Sequence, residues 1–184
     1  MELHIAAASI APLLGWAVHG GILAHRLAAA RRDPLTGLHT RAGWTARAER
    51  LICRHPGAAV LLVDLDHFKA LNDTHGHAAG DTALIETADR LRTWCGPSGI
   101  AGRLGGDEFV AVVRDLDAAG IDALTAALHR PLTYNGASLP LAASFGACLI
   151  ADLPLPALTD ALTAADAAMY ATKGRGRRGP RTSR

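Results

Sequence analysis

Arg103-Leu104-Gly105-Gly106-Asp107-Glu108-Phe109 is the stretch around which the remaining sequence falls into order. Two adjacent glycines separate short apolar runs at residues 100–104 and 109–113, which predicts a tight hairpin turn. Glycine tolerates the positive backbone dihedrals such a turn demands, and it lets another molecule approach the backbone closely. Two acids come directly after the bend, so the hairpin tip offers carboxylates to a hard cation such as Mg²⁺. Taken alone, the same four residues are equally a plain polar hairpin.

Moving upstream, residues 58–65 (Ala-Ala-Val-Leu-Leu-Val-Asp-Leu) form a continuous apolar run that reads as a buried central strand. It ends on Asp64, and Asp66 stands where it would cap the next helix. Neighbouring strands of one sheet would bring Asp64 beside Asp107. Two carboxylates that close repel, and the simplest remedy is a cation between them, here Mg²⁺ held by carboxylates plus substrate phosphates. Residues 67–77 read as a short helix running into a polar loop. Gly80-Asp81 then opens a helix to about residue 94, with Leu84, Ile85, Ala88 and Leu91 on one face. Asn72 and Asp81 flank that loop. Together they can read a purine edge, because asparagine donates and accepts while a carboxylate accepts from guanine's N1 and N2 protons. Separately, each is a turn former or a helix cap.

Further out, Asp33-Pro34 stops any preceding helix, Thr36-Gly37 turns the chain, and Thr40 caps a helix over 41–55 that Pro56-Gly57 ends. Downstream of the hairpin, 115–129 is helical in pattern, with apolar Leu116, Ile121, Leu124 and Leu128. Asn135-Gly136 is a hairpin turn, 139–150 a strand, and 157–173 a helix with Leu158, Leu162, Ala165 and Met169 as its buried stripe. Lys173 and Arg177 lie four apart, so a continuing helix would set both cations on one face, suited to a polyphosphate. Such a pair also simply favours a helix C-terminus. The element order predicts an α+β fold, an α/β sandwich with one sheet carrying helices on its faces.

Composition adds limits. A chain of 184 residues, 49% apolar, is one domain with short extensions, and its net charge is +2 with a pI near 8.6. The arginine-rich end carries no interleaved aromatics, which argues for a solvated terminus and against a nucleic-acid partner. Cys53, Cys95 and Cys148 are odd in number and widely spaced, and they read as small core residues in a reducing compartment. Of the 19 basic residues only Lys69 and Lys173 are lysine, and only Asn72 and Asn135 are asparagine. Where a composition so avoids a residue type, the few that remain mark positions that need it. Residues 5–24 are uncharged and long enough to span a bilayer, although Pro12, Gly15, His19, Gly20 and Gly21 dilute them. Arginines come next, so the positive-inside rule would leave the remainder on the cytoplasmic side of that membrane. The alternative is a leader helix that pairs with a second copy in a soluble cytoplasmic protein.

Taken together, these pieces resemble the GGDEF family of diguanylate cyclases. The matching residues are Asp33-Pro34-Leu35-Thr36-Gly37-Leu38, Asp64-Leu65-Asp66-His67-Phe68-Lys69 with Asn72-Asp73, Gly76-His77 with Gly80-Asp81, the hairpin stretch, Ser144-Phe145-Gly146, and Ala165-Asp166 through Tyr170 to Lys173 and Arg177. The resemblance implies a nucleotide-cyclase or polymerase-palm fold with a mostly antiparallel sheet, and domains at 1–31 (apolar N-terminal helix), 32–178 (cyclase) and 179–184 (basic disordered tail). It implies condensation of two GTP into cyclic di-GMP and two pyrophosphates, by a homodimer with one GTP per half-site. Asp64, Asp107 and the Leu65 carbonyl would hold metal, two Mg²⁺ per site with Mn²⁺ as a substitute. Asn72 and Asp81, with His77 nearby, would hold guanine; Lys69, Lys173 and Arg177 the phosphates; and Gly105 and Gly106 would let the nucleotide pass close. Glu108 or Asp107 would take the proton from the attacking hydroxyl. Gly96 and Gly99 stand where product-inhibited members carry an Arg-x-x-Asp pair, so that inhibitory site is expected to be absent. The rival expectation is a catalytically silent GTP-binding or interaction module of the same fold.

Overall fold

The computed structural model describes residues 31–176. The apolar run at 5–24, Arg177 and the tail at 179–184 therefore lie outside the described residues. In order, the elements are β1 (His39–Thr40), α1 (Arg41–Arg54), β2 (Ala59–Leu65), α2 (Phe68–His75), α3 (His77–Cys95), β3 (Ile100–Gly105), β4 (Glu108–Val113), α4 (Ala118–Leu128), β5 (Leu132–Tyr134), β6 (Ala137–Leu139), β7 (Ala143–Leu149), a 3-10 turn (Ile150–Asp152) and α5 (Leu158–Gly176). The main sheet has the order β1-β3-β4-β2-β7, antiparallel except for the short parallel β1–β3 pair, and β5–β6 is a separate hairpin.

β2 lies inside the sheet, bordered by β4 and β7, and every residue of it except Asp64 is buried. This explains its unbroken apolar run, since a strand covered on both faces has no polar side to show. Alternation then sorts its side chains between two cores. Ala59, Leu61, Val63 and Leu65 join Phe109, Ala111 and Val113 with residues of α3 and α4. Val60 and Leu62 join Val110 and Val112 with Trp44, Ala48 and Ile52 of α1 and Leu158, Ala161, Ala165 and Met169 of α5. The domain is thus a sheet with helices on both faces. Among the described residues no helix is long and apolar enough to cross a membrane.

Several boundaries differ from the sequence reading. α3 opens at His77, not at Gly80-Asp81, and Gly76 alone joins it to α2. Asp66 does not cap α2: His67 takes that position in the left-handed region (φ 57°), and Asp66 accepts a hydrogen bond from Ser144 Oγ at 2.8 Å. The expected strand over 139–150 is interrupted at 140–142, where Pro140 offers no backbone donor. α4 begins only at Ala118, capped by Asp117, and Ile121 and Ile85 are exposed rather than packed. Cys53 is exposed, so only Cys95 and Cys148 are core cysteines. Burial pushes the Cys95 thiol up to about 12, which makes it an inert apolar residue.

Candidate functional site

The hairpin forms as its glycines require. Gly105 and Gly106 have φ of 149° and 52°, a bulge falls between Arg103 and Gly105, and a side chain added at either glycine would meet open space. Antiparallel pairing sets the register of β4 beyond the turn. Asp64 lies directly opposite Glu108 on β4 and opposite Ser144 on β7. Paired residues point to the same side of a sheet. By alternation with Val60, Leu62, Val110 and Val112, that side is the one covered by α1 and α5. Lys173, near the end of α5, reaches down to Asp64 and forms a hydrogen-bonded ion pair with its Oδ1. Asp64, Glu108 and Lys173 therefore gather at the mouth between strand ends and helix.

Asp107 is close through its backbone: Leu65 N donates to the Asp107 carbonyl at 3.3 Å. The carboxylate facing Asp64 across the ladder is that of Glu108. Sequence alone assigns that place to Asp107, because a residue's register cannot be seen without the pairing. Among the described residues no three of His, Cys, Asp and Glu converge as a ready-made metal cage. Mg²⁺ keeps waters and binds through one or two carboxylates plus substrate phosphates. The donor chemistry of Asp64 and Glu108, hard oxygens on neighbouring strands, fits such an ion.

A second cluster lies at the α2–α3 junction. Asn72 rests against Gly80 so closely that a Cβ there would collide with the Asn72 amide. Asp81, the next residue, is exposed beside it, and His77 is exposed at the first turn of α3. Asn72 and Gly80, the residue before Asp81, are thus packed together by a short helix pair rather than by the loop expected from sequence. Lys69 is exposed on α2, and Arg177 lies outside the described residues.

Arg103 and Asp33 form a clamp whose role the sequence did not reveal. Arg103 Nη1 binds Asp33 Oδ1 at 3.1 Å, while its Nε and Nη2 donate to the Gly106 carbonyl at 3.0 and 2.7 Å. Asp33 also accepts from Thr36 N at 2.9 Å and Thr36 Oγ1 at 2.6 Å. Burial alone would raise the Asp33 pKa, but the Thr36 hydrogen bonds and the Arg103 guanidinium outweigh it and hold it below the usual carboxylate range. The turn at 33–37 thereby fixes the glycine hairpin. Both stretches are visible as motifs, but nothing in sequence links residues so distant.

Known proteins bear on this arrangement. The family model described as "Diguanylate cyclase, GGDEF domain" matches residues 30–179. An uncharacterized 19.3 kDa protein of Streptomyces ambofaciens is 74% identical over 178 residues, 97% of each chain. The diguanylate cyclase TpbB of Pseudomonas aeruginosa is 40% identical over 169 residues, covering 84% of this chain and 37% of that protein. A sensory box/GGDEF family protein from Caulobacter crescentus superposes with a TM-score of 0.71 at 37% identity, over 80% of this chain and all of that structure. The chain thus spans most of one relative but little more than a third of a named cyclase.

Proposed function

The chain belongs to the GGDEF diguanylate cyclase family, and from that membership we propose that it condenses two GTP into cyclic di-GMP with release of two pyrophosphates. The observation that carries this reading is the register of β2 against β4, with Asp64 opposite Glu108 and Lys173 on Asp64. Asp64, Glu108 and Asp107, with the Leu65 carbonyl, would hold two divalent ions, Mg²⁺ or Mn²⁺. Bound there, the ions would offset charge on the triphosphate and lower the pKa of the attacking 3′-hydroxyl.

The chain's own residues supply the rest. Asn72 and Asp81 read the guanine edge, and the packing of Asn72 on Gly80 supports that pairing. Lys173, Lys69 and Arg177 neutralise phosphates. The open space over Gly105 and Gly106 supports a close passage of the nucleotide along the hairpin. Glu108 or Asp107 accepts the proton of the hydroxyl. Each half-site holds one GTP, and the attacking hydroxyl comes from the partner's nucleotide, so a homodimer supplies the positioning. Catalysis takes place in the cytoplasm, with residues 5–24 as a membrane anchor or a dimerising leader.

Feedback by product at the usual site is absent in this reading. Gly96 and Gly99 offer neither guanidinium nor carboxylate, and a Cβ at Gly99 would come within 2.7 Å of the Cys95 carbonyl and 2.9 Å of Val113 Cγ1. The test is incubation of the full chain with GTP and Mg²⁺, and then chromatography of the nucleotides. Cyclic di-GMP and pyrophosphate are expected. GTP that binds yet is recovered intact would establish the silent-module alternative.

A further inference from the structure

Lys173 has a partner that a phosphate-binding role does not call for. Its ammonium is hydrogen-bonded to Asp64, the residue assigned to metal. Side-chain exposures of 33% and 24% make this a partly desolvated pair, less screened than one in open solvent. Both anchors are rigid. Asp64 is paired in register with Glu108 on one side and Ser144 on the other. α5 packs so tightly on β7 that a Cβ at Gly146 would collide with the backbone at Ala165 and Met169. Only the four-carbon lysine stem is free to move.

We infer that Lys173 is a stand-in cation, whose ammonium neutralises Asp64 before substrate arrives and passes to the triphosphate when the metal–nucleotide complex docks. This rests on the metal-and-GTP reading of the site. A divalent cation arriving alone must displace the tethered ammonium and then face its unpaired charge. GTP without metal would draw the ammonium to its phosphates and leave Asp64 bare against the same anion. Only the complex provides a cation for Asp64 and an anion for Lys173 together. Lys173 thereby couples metal binding to nucleotide binding, and the coupling acts equally in both directions.

Mn²⁺ titrations of the full chain, monitored by electron paramagnetic resonance with and without a non-hydrolysable GTP analogue, test this. Lys173→Met, which removes the charge and keeps an apolar stem, should bind Mn²⁺ alone about fivefold more tightly than wild type. The same variant should bind the Mn²⁺–analogue complex about tenfold more weakly. Lys173→Arg, which keeps a cation, should match wild type in the nucleotide-free titration. Equal affinity of wild type and Lys173→Met for Mn²⁺ alone would overturn the inference, as would an Arg variant that behaves like Met. Product formation by wild type, measured in parallel, keeps the two levels apart. Cyclic di-GMP without the affinity change removes the stand-in role alone, whereas the affinity change without product supports that role and removes the cyclase reading.

Discussion

Gly80 occupies an interior helical position where alanine would ordinarily be favoured by about 1 kcal/mol. The Asn72 amide fills the space a methyl would need. Gly80→Ala should therefore displace Asn72 and raise KM for GTP about tenfold, the loss of roughly one hydrogen bond to the base, while the melting temperature holds or rises. Steady-state kinetics and thermal melting on the same preparation check this, and an unchanged KM would separate Asn72 from substrate. Asp33 gives a different signature. Because its folded pKa is depressed, its contribution to stability is present above the unfolded value of about 3.9 and is lost as pH falls through the lower folded value. Asp33→Asn should cost about 1–2 kcal/mol at pH 7, and the gap from wild type should narrow once the pH falls below the unfolded value of about 3.9. Denaturant melts on either side of that value measure it. At this scale the sequence singles out residue types but not their contacts. The scarcity of lysine and asparagine pointed to Lys69, Lys173 and Asn72, yet nothing tied Arg103 to Asp33 or Lys173 to Asp64. Those pairings depend on which strands become neighbours.

Elements were legible where one local force dominates. α1 spans Arg41–Arg54 with Thr40 Oγ1 accepting from Gly43 N at 3.4 Å, as its capping residue predicts. Asn135 and Gly136 both adopt positive φ, 49° and 77°, and turn β5 into β6 as their dipeptide demands. The errors lie where tertiary contacts override local signals. Gly80 reads as the opening of a helix, but the need for space beside Asn72 keeps a glycine inside α3. Arg90, which no local signal marks, is buried and binds the carbonyls of Arg130 and Pro131 (3.0 Å for the latter). It thereby ties α3 to the link between α4 and β5. The contact of α5 with β7 yields the prediction that belongs here. Gly146→Ala must push α5 off the sheet, so it should destabilise the domain by about 2 kcal/mol and, by withdrawing Lys173, also lower activity in the fraction that remains folded. A folded, fully active Gly146→Ala protein would show that this spacing does not set the site.

At the scale of the whole described domain, the five-stranded sheet delivers two carboxylates from its interior strands β2 and β4 to the same end, under a helix that brings a cation. The runs that form β2, β3 and β4 could be read separately, but the order β1-β3-β4-β2-β7 could not, because pairing partners are chosen by long-range packing. That order is what converts separate motifs into one site. If two such sites must face each other, activity belongs to the pair of chains. Turnover per chain should then fall on dilution and recover on concentration, in proportion to the dimer measured by light scattering; a rate per chain independent of concentration across dissociation would refute the half-site arrangement. Sharing of one ion by Asp64 and the hairpin acids, beneath a guanine nucleotide, is most directly tested by a crystal structure of the full chain grown with Mn²⁺ and a non-hydrolysable GTP analogue, using anomalous scattering to locate the metal. A manganese peak is expected about 2.1 Å from carboxylate oxygens of both Asp64 and Glu108, touching the analogue's phosphates. A metal–nucleotide complex bound elsewhere, with Asp64 still paired only to Lys173, would contradict it.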